Sequence, residues 1–127
     1  MGMGTAMTVA VWLGVAVLGG FGAVLRFLVD RTVSHRLSGT FPSGIFVVNV
    51  SGALVLGLLA GLELGPTAAL LASVALLGAY TTFSTWMLQT LELGADRRIG
   101  LAIANIVVSL ALGVAAAALG MWIGTRL

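Results

Sequence analysis

The sequence predicts an all-α membrane protein: one domain, residues 1–127, of four transmembrane helices, the third of them broken. Three observations predict it. The chain is 60% hydrophobic and only 8% charged, with a mean hydropathy of +1.17, whereas a soluble domain carries roughly a quarter charged residues. Its charges, Arg26, Asp30, Arg31, Arg36, Glu63, Glu92, Asp96, Arg97, Arg98 and Arg126, cut it into four apolar stretches, about 7–29, 44–62, 67–91 and 100–123. Each stretch has 19 to 25 residues, enough to cross a hydrocarbon core of roughly 30 Å at about 1.5 Å per residue. Finally, Thr81, Thr82, Ser84 and Thr85 crowd the middle of the third stretch beside Gly78. An uninterrupted helix needs no such cluster, while a broken one must re-satisfy its backbone from nearby polar groups.

The first stretch lacks the basic flank of a signal peptide and is read as retained. Arg26 lies toward its end, where a long cation can snorkel or line a wet vestibule. Gly19, Gly22, Ala23 and Arg26 share one helical face. A polar connection follows and ends in the breaker Phe41-Pro42-Ser43-Gly44. His35 sits in that connection, as a solvated residue rather than a ligand. The second stretch aligns Asn49, Gly52, Ala53 and Gly57 on one face and ends in the turn around Gly65-Pro66, which predicts an antiparallel pair with the third. In the fourth, Asn105, Ser109, Gly113, Ala116, Ala117, Gly120 and Gly124 recur at i+3/i+4 spacing. Gly57-x-x-x-Gly61 and Gly120-x-x-x-Gly124 are close-packing motifs that point to self-association, although they serve equally well as contacts within one subunit.

Several function classes are disfavoured. Without cysteine there is no disulfide or thiolate site. No charge sits at the centre of a stretch, no carboxylates pair, and no nucleophile–base constellation or phosphate loop is present, so catalysis has no support. An excess of two positive charges is little basis for nucleic-acid binding. What remains is a set of weak polar groups at bilayer depth. Asn49 offers an amide with two donors and an acceptor, and its plainer role is an interhelical hydrogen bond. Phe83 and Trp86, three residues apart, share a face that Tyr80 extends. Aromatic edges carry the positive end of the ring quadrupole and can face an anion, although such a stripe also serves packing. Carbonyls freed by a helix break are ligands for a hard cation, and broken helices are where transporters place ion sites.

These residues resemble the Fluc/CrcB family of fluoride channels. The resemblance runs along most of the chain. It rests on Gly19-Gly20-Phe21-Gly22-Ala23-x-x-Arg26-Phe27, on Val48-Asn49-x-x-Gly52 with Gly57, on Gly78-x-x-Thr81-Thr82-Phe83-Ser84-Thr85, and on Ser109 with Gly113. It implies a passive fluoride channel that exports cytoplasmic fluoride across the inner (plasma) membrane and confers fluoride resistance. It also implies a dual-topology dimer of antiparallel subunits, fluoride pores along their interface, and a structural sodium ion between them. Carried over by position, the carbonyls of Gly78 and Thr81 are the sodium ligands. Asn49 is the pore amide, Phe83 the first pore-facing ring, Thr82, Ser84 and Ser109 line the polar track, and Arg26 faces a vestibule. Two positions depart from the pattern. Trp86 stands where a second phenylalanine is expected, and Asn105 where a tyrosine is expected. These changes suit either a homodimer or a subunit, even a non-conducting one, that pairs with a homologue. A small four-helix multidrug/proton antiporter is the alternative from another class. It requires an acid in the middle of the first helix, and the segment from Trp12 to Leu25 has none.

Overall fold

A computed structural model describes residues 2–127, the side chain of Met3 excepted. Every regular element among them is helical: α1 (Gly2–Arg36), α2 (Ser43–Leu62), α3 (Pro66–Ala69), a π-helix (Leu70–Leu77), α4 (Gly78–Tyr80), α5 (Ser84–Ala95) and α6 (Ile99–Gly124). The elements from Pro66 to Ala95 form one membrane span; with α1, α2 and α6 they make four helices apolar and long enough to cross a bilayer. The chain is a multi-pass membrane protein.

The spans fall where the charges place them, but α1 outruns its apolar stretch. Charged residues mark the edge of the hydrocarbon without breaking a helix: arginine is a good helix former and aspartate costs no more than about 0.7 kcal/mol, so Asp30, Arg31 and Arg36 continue the helix. Ser34 Oγ donates to Asp30 Oδ1 at 3.2 Å along this extension. Arg26 therefore lies ten residues before the end of α1, about 15 Å along the axis, not at its terminus. α2 begins after Pro42 and stops at Glu63, whose φ of 52° takes the left-handed conformation that ends a helix. Pro66 opens the next helix at a position where its missing N–H costs nothing.

The packing revises one expectation and decides another question left open. α2 packs chiefly on α6, not on the third span that follows it through the turn; the first half of the third span lies against α1, and α5 against α6. The two close-packing motifs face each other across α2 and α6. A Cβ on Gly57 would strike the Ala117 carbonyl, one on Gly61 the Met121 carbonyl, one on Gly120 the Leu54 carbonyl and one on Gly124 the Leu58 carbonyl. Of the two roles open to these glycines, the structure shows the contact between helices of one chain. Gly22 brings α1 equally close to the Leu76 carbonyl in the π-helix.

The core is thin: Ile45, Val48, Ala75, Leu77, Leu93 and Ala102 are its buried apolar residues. Large side chains such as Trp12, Phe21, Val74, Phe83 and Trp122 are exposed, as a chain solvated by lipid allows. Thr82, Asn105 and Ser109 are buried despite their polarity, and all three belong to the site described next.

Candidate functional site

The third span leaves the helical ladder at Thr81, which is extended (φ −79°, ψ 158°), and re-enters it at Ser84. Upstream, the Thr81 N–H and Oγ1 both bond the Leu77 carbonyl at 2.9 Å, ending the first half cleanly. Downstream, Thr82 Oγ1 accepts the Thr85 N–H at 3.2 Å and so caps the first turn of α5. It also donates to Thr85 Oγ1 at 3.2 Å and meets Ser84 Oγ at 3.3 Å. The clustered hydroxyls do the work that a severed helix requires.

Asn49 bridges the gap from α2. Its Nδ2 donates to the Thr82 carbonyl at 2.8 Å, and its Oδ1 accepts the Thr82 N–H at 2.9 Å. One side-chain amide thus stands in for a peptide group on both sides. The diversion has a consequence: in a continuous helix the Thr82 N–H would bond the Gly78 carbonyl. Among the described residues, no hydrogen bond reaches the carbonyl of Gly78 or of Thr81. Gly52 makes room for the arrangement, since a Cβ there would strike Thr81 Cγ2.

A hollow of about 340 Å³ opens beside the break, and its polar lining comes from Asn49, Thr81, Thr82 and Ser109. Phe83 and Trp86 form one wall, edge to face at 5.8 Å between centroids and 82° between planes. Apolar side chains of α2 and α6, such as Leu56 and Leu110, complete it. Phe83 is 71% exposed, so the hollow stands open on one side of the chain.

The structure brings together Asn49, Thr81, Thr82, Phe83, Trp86 and Ser109, and leaves four expected residues off the lining. Ser84 is exposed at the start of α5 and reaches the site only through Thr82. Gly78 offers backbone alone. Arg26 is half-buried on α1 and lines none of the hollow. Asn105, 1% exposed, lies behind Trp86. Its Nδ2 donates to Thr90 Oγ1 at 2.9 Å and, more weakly, to the Trp86 carbonyl at 3.5 Å. The Trp86 indole N–H returns a bond to the Asn105 carbonyl at 3.0 Å.

Residues 13–121 match the family described as CrcB-like protein, Camphor Resistance (CrcB). That range contains every residue lining the hollow. The chain belongs to the CrcB-like family. Relatives agree along nearly the whole length. A Mycobacterium bovis protein named fluoride-specific ion channel FluC 2 is 62% identical over 119 residues, covering 94% of each chain. Fluoride-specific ion channel FluC 2 of Mycolicibacterium paratuberculosis is 61% identical, covering 89% of this chain and 93% of its own. Fluoride-specific ion channel FluC 1 of Leifsonia xyli subsp. xyli is 38% identical, covering 93% and 89%.

Sequence reasoning missed three parts of this CrcB-like site. Ser51 bonds the Tyr80 hydroxyl at 3.0 Å and ties α2 to the residue before the break. Thr90 links Asn105 to the Trp86 carbonyl, which its Oγ1 reaches at 2.9 Å. The π-helix leaves no trace in Leu70–Leu77, an apolar run without glycine or proline. A lone hydroxyl in an apolar span carries no signal of its partner.

Proposed function

We propose that this CrcB-like chain is a subunit of a passive, fluoride-selective channel. One observation carries the reading: a hollow of weak donors and aromatic edges beside a severed helix, in a chain 62% identical to a protein named a fluoride-specific channel. Fluoride is small and strongly hydrated. A pathway for it must replace water with many donors, none strong enough to hold the ion. The remaining amide hydrogen of Asn49 and the ring edges of Phe83 and Trp86 fit that demand, as do the hydroxyls of Thr82 and Ser109 once they turn from Thr85 and Asn105 toward the ion. Chloride is rejected by width. In an acidic medium hydrogen fluoride crosses the lipid and dissociates inside; a passive anion leak across the plasma membrane, driven by the membrane potential, then carries fluoride out.

The hollow is open, and an ion cannot travel along a wall that faces lipid. A second subunit closes it in this reading, inserted in the opposite orientation so that the same polar face meets itself. The partner is a second copy or a homologue; relatives named FluC 1 and FluC 2 make the second option concrete. The carbonyls of Gly78 and Thr81, left without hydrogen bonds, suit a hard cation such as sodium, and two subunits offer four of them. The carbonyls of Gly78 and Thr81 would hold such an ion, which would supply a positive charge at the break; the chain's part is to leave both carbonyls without a helical partner.

A fluoride electrode on liposomes holding the purified protein tests the reading. Fluoride efflux far above that of empty liposomes, with almost none for chloride, is expected. Equal fluxes of the two anions, or proton-coupled drug transport without fluoride flux, would sink it. Flux unchanged by rigorous removal and return of sodium would remove the cation from the account.

A further inference from the structure

Trp86 and Asn105 each depart from the pattern that the chain otherwise resembles, and the structure joins them. Trp86 lines the hollow, yet its only strong donor does not serve it: the indole N–H bonds the main-chain carbonyl of Asn105 at 3.0 Å. Asn105 answers from α6. Its amide, in a dry setting at 1% exposure, reaches Thr90 Oγ1 at 2.9 Å and the Trp86 carbonyl at 3.5 Å. Its Oδ1 accepts from Ser109 Oγ at 3.5 Å, and Ser109 also lines the hollow. A reciprocal clasp therefore holds α5 to α6 directly behind the aromatic wall.

We propose that Asn105 is a positioning residue that keeps the Trp86 indole N–H out of the anion pathway, so that Trp86 presents only its ring edge to the ion. The inference rests on the fluoride-channel reading of the hollow. Its physical basis is the strength of the bond that is avoided. An N–H facing an anion in a low-dielectric site makes a charge-assisted hydrogen bond, roughly twice as strong as a neutral one. Conduction requires sites the ion can leave. Beside the Asn49 amide, a further N–H at this position would tighten the hold on the ion; the main-chain carbonyl of Asn105, on the helix that the Asn105 amide clasps to α5, engages it instead.

The test is a double-mutant comparison in a background where Trp86 is the only tryptophan (Trp12→Phe, Trp122→Phe; both residues are exposed and off the hollow). Asn105→Ala is expected to slow fluoride flux about tenfold when Trp86 is present. Introduced beside Trp86→Phe, which has no N–H to misplace, it is expected to change flux by less than about twofold relative to Trp86→Phe alone. Thr90→Val, which removes one partner of the amide, should act in the same direction more weakly and serves if Asn105→Ala does not fold. Indole emission gives a readout independent of flux. With Asn105 intact, fluoride leaves it unchanged; with Asn105→Ala, the emission shifts and responds to fluoride. Equal slowing by Asn105→Ala beside Trp86 and beside Phe would overturn the proposal in favour of a packing role. So would emission indifferent to Asn105. A wild-type protein that passes no fluoride would refute the channel reading, while the shift on Asn105→Ala would still decide whether Asn105 governs the indole.

Discussion

The contact between α2 and α6 and the face around the helix break use the same two helices in opposite ways. At the contact, Gly57, Gly61, Gly120 and Gly124 let backbone meet backbone, with no polar side chain between them. At the break, Asn49 from α2 and Asn105 and Ser109 from α6 carry hydrogen-bonding side chains, and the surface stays open. In lipid, where apolar burial drives little association, close approach and hydrogen bonds are the available cohesive forces. The chain separates them. One region uses packing alone and is rigid because backbone cannot rotate away. The other uses polar side chains, which hold a severed helix in shape and line an open hollow beside it.

The comparison breaks most severely at the glycines. Gly120→Val or Gly57→Val should prevent assembly of the bundle. Overpacking costs about 1–3 kcal/mol where side chains can move aside, and here the obstructing atoms are carbonyls of Leu54 and Ala117. Gly94→Ala, at a site with nothing within 4 Å of the added carbon, is the control and should be neutral. Thermal stability of detergent-purified protein and its elution profile measure both. Equal behaviour of the variants would remove the scaffold from the account.

The next effect belongs to the polar region. Asn49→Ala strips Thr82 of both backbone partners, and each buried group left unpaired costs about 1–3 kcal/mol. The glycine contact is untouched, so the bundle should still assemble while fluoride flux falls at least about a hundredfold. Phe83→Ile should slow flux without lowering thermal stability, because the ring is exposed in the single chain. Flux by fluoride electrode and stability by thermal melt, taken on the same preparations, separate the two roles. Normal conduction by both variants would mean that this face is structural only.

Much of this contrast was present in the sequence, but not its wiring. Charged residues located the four spans because charge is costly in hydrocarbon; they misplaced the end of α1 because Asp30 and Arg31 halt a membrane, not a helix. The glycine motifs announced that backbones meet and left open whose. Asn49 and the threonines were visible as polar groups at depth. Their pairing joins residues 33 apart in sequence, and no local pattern encodes it. Trp86 and Asn105 each registered as a departure; that one answers the other emerges only when α5 lies on α6.

The smallest effect concerns the ends of the same helices, where the inverted partner proposed for the open face meets the charge pattern of the chain. The connection after α1 and the connection before α6 lie at one end of the bundle, since Leu37, Gly39 and Asp96 line a common hollow there. That end carries Arg31, Arg36, Arg97 and Arg98, whereas the opposite end carries only Arg126, which stacks on Trp122 at 4.4 Å. Arginine-rich connections favour the cytoplasmic side, so orientation with both termini outside should predominate over its inverse. Yet a pathway closed by two inverted copies requires both orientations in one membrane. Single cysteines at Gly2 and at Ser38, at opposite ends of α1 and both exposed, read the balance in intact cells. Unequal labelling of the two sites from outside is expected, with Gly2 the stronger. Equal labelling would refute the bias and favour a homodimer without qualification. Labelling of Gly2 alone would show that every copy inserts one way, and the face that completes the hollow would then have to come from a homologue of opposite charge pattern.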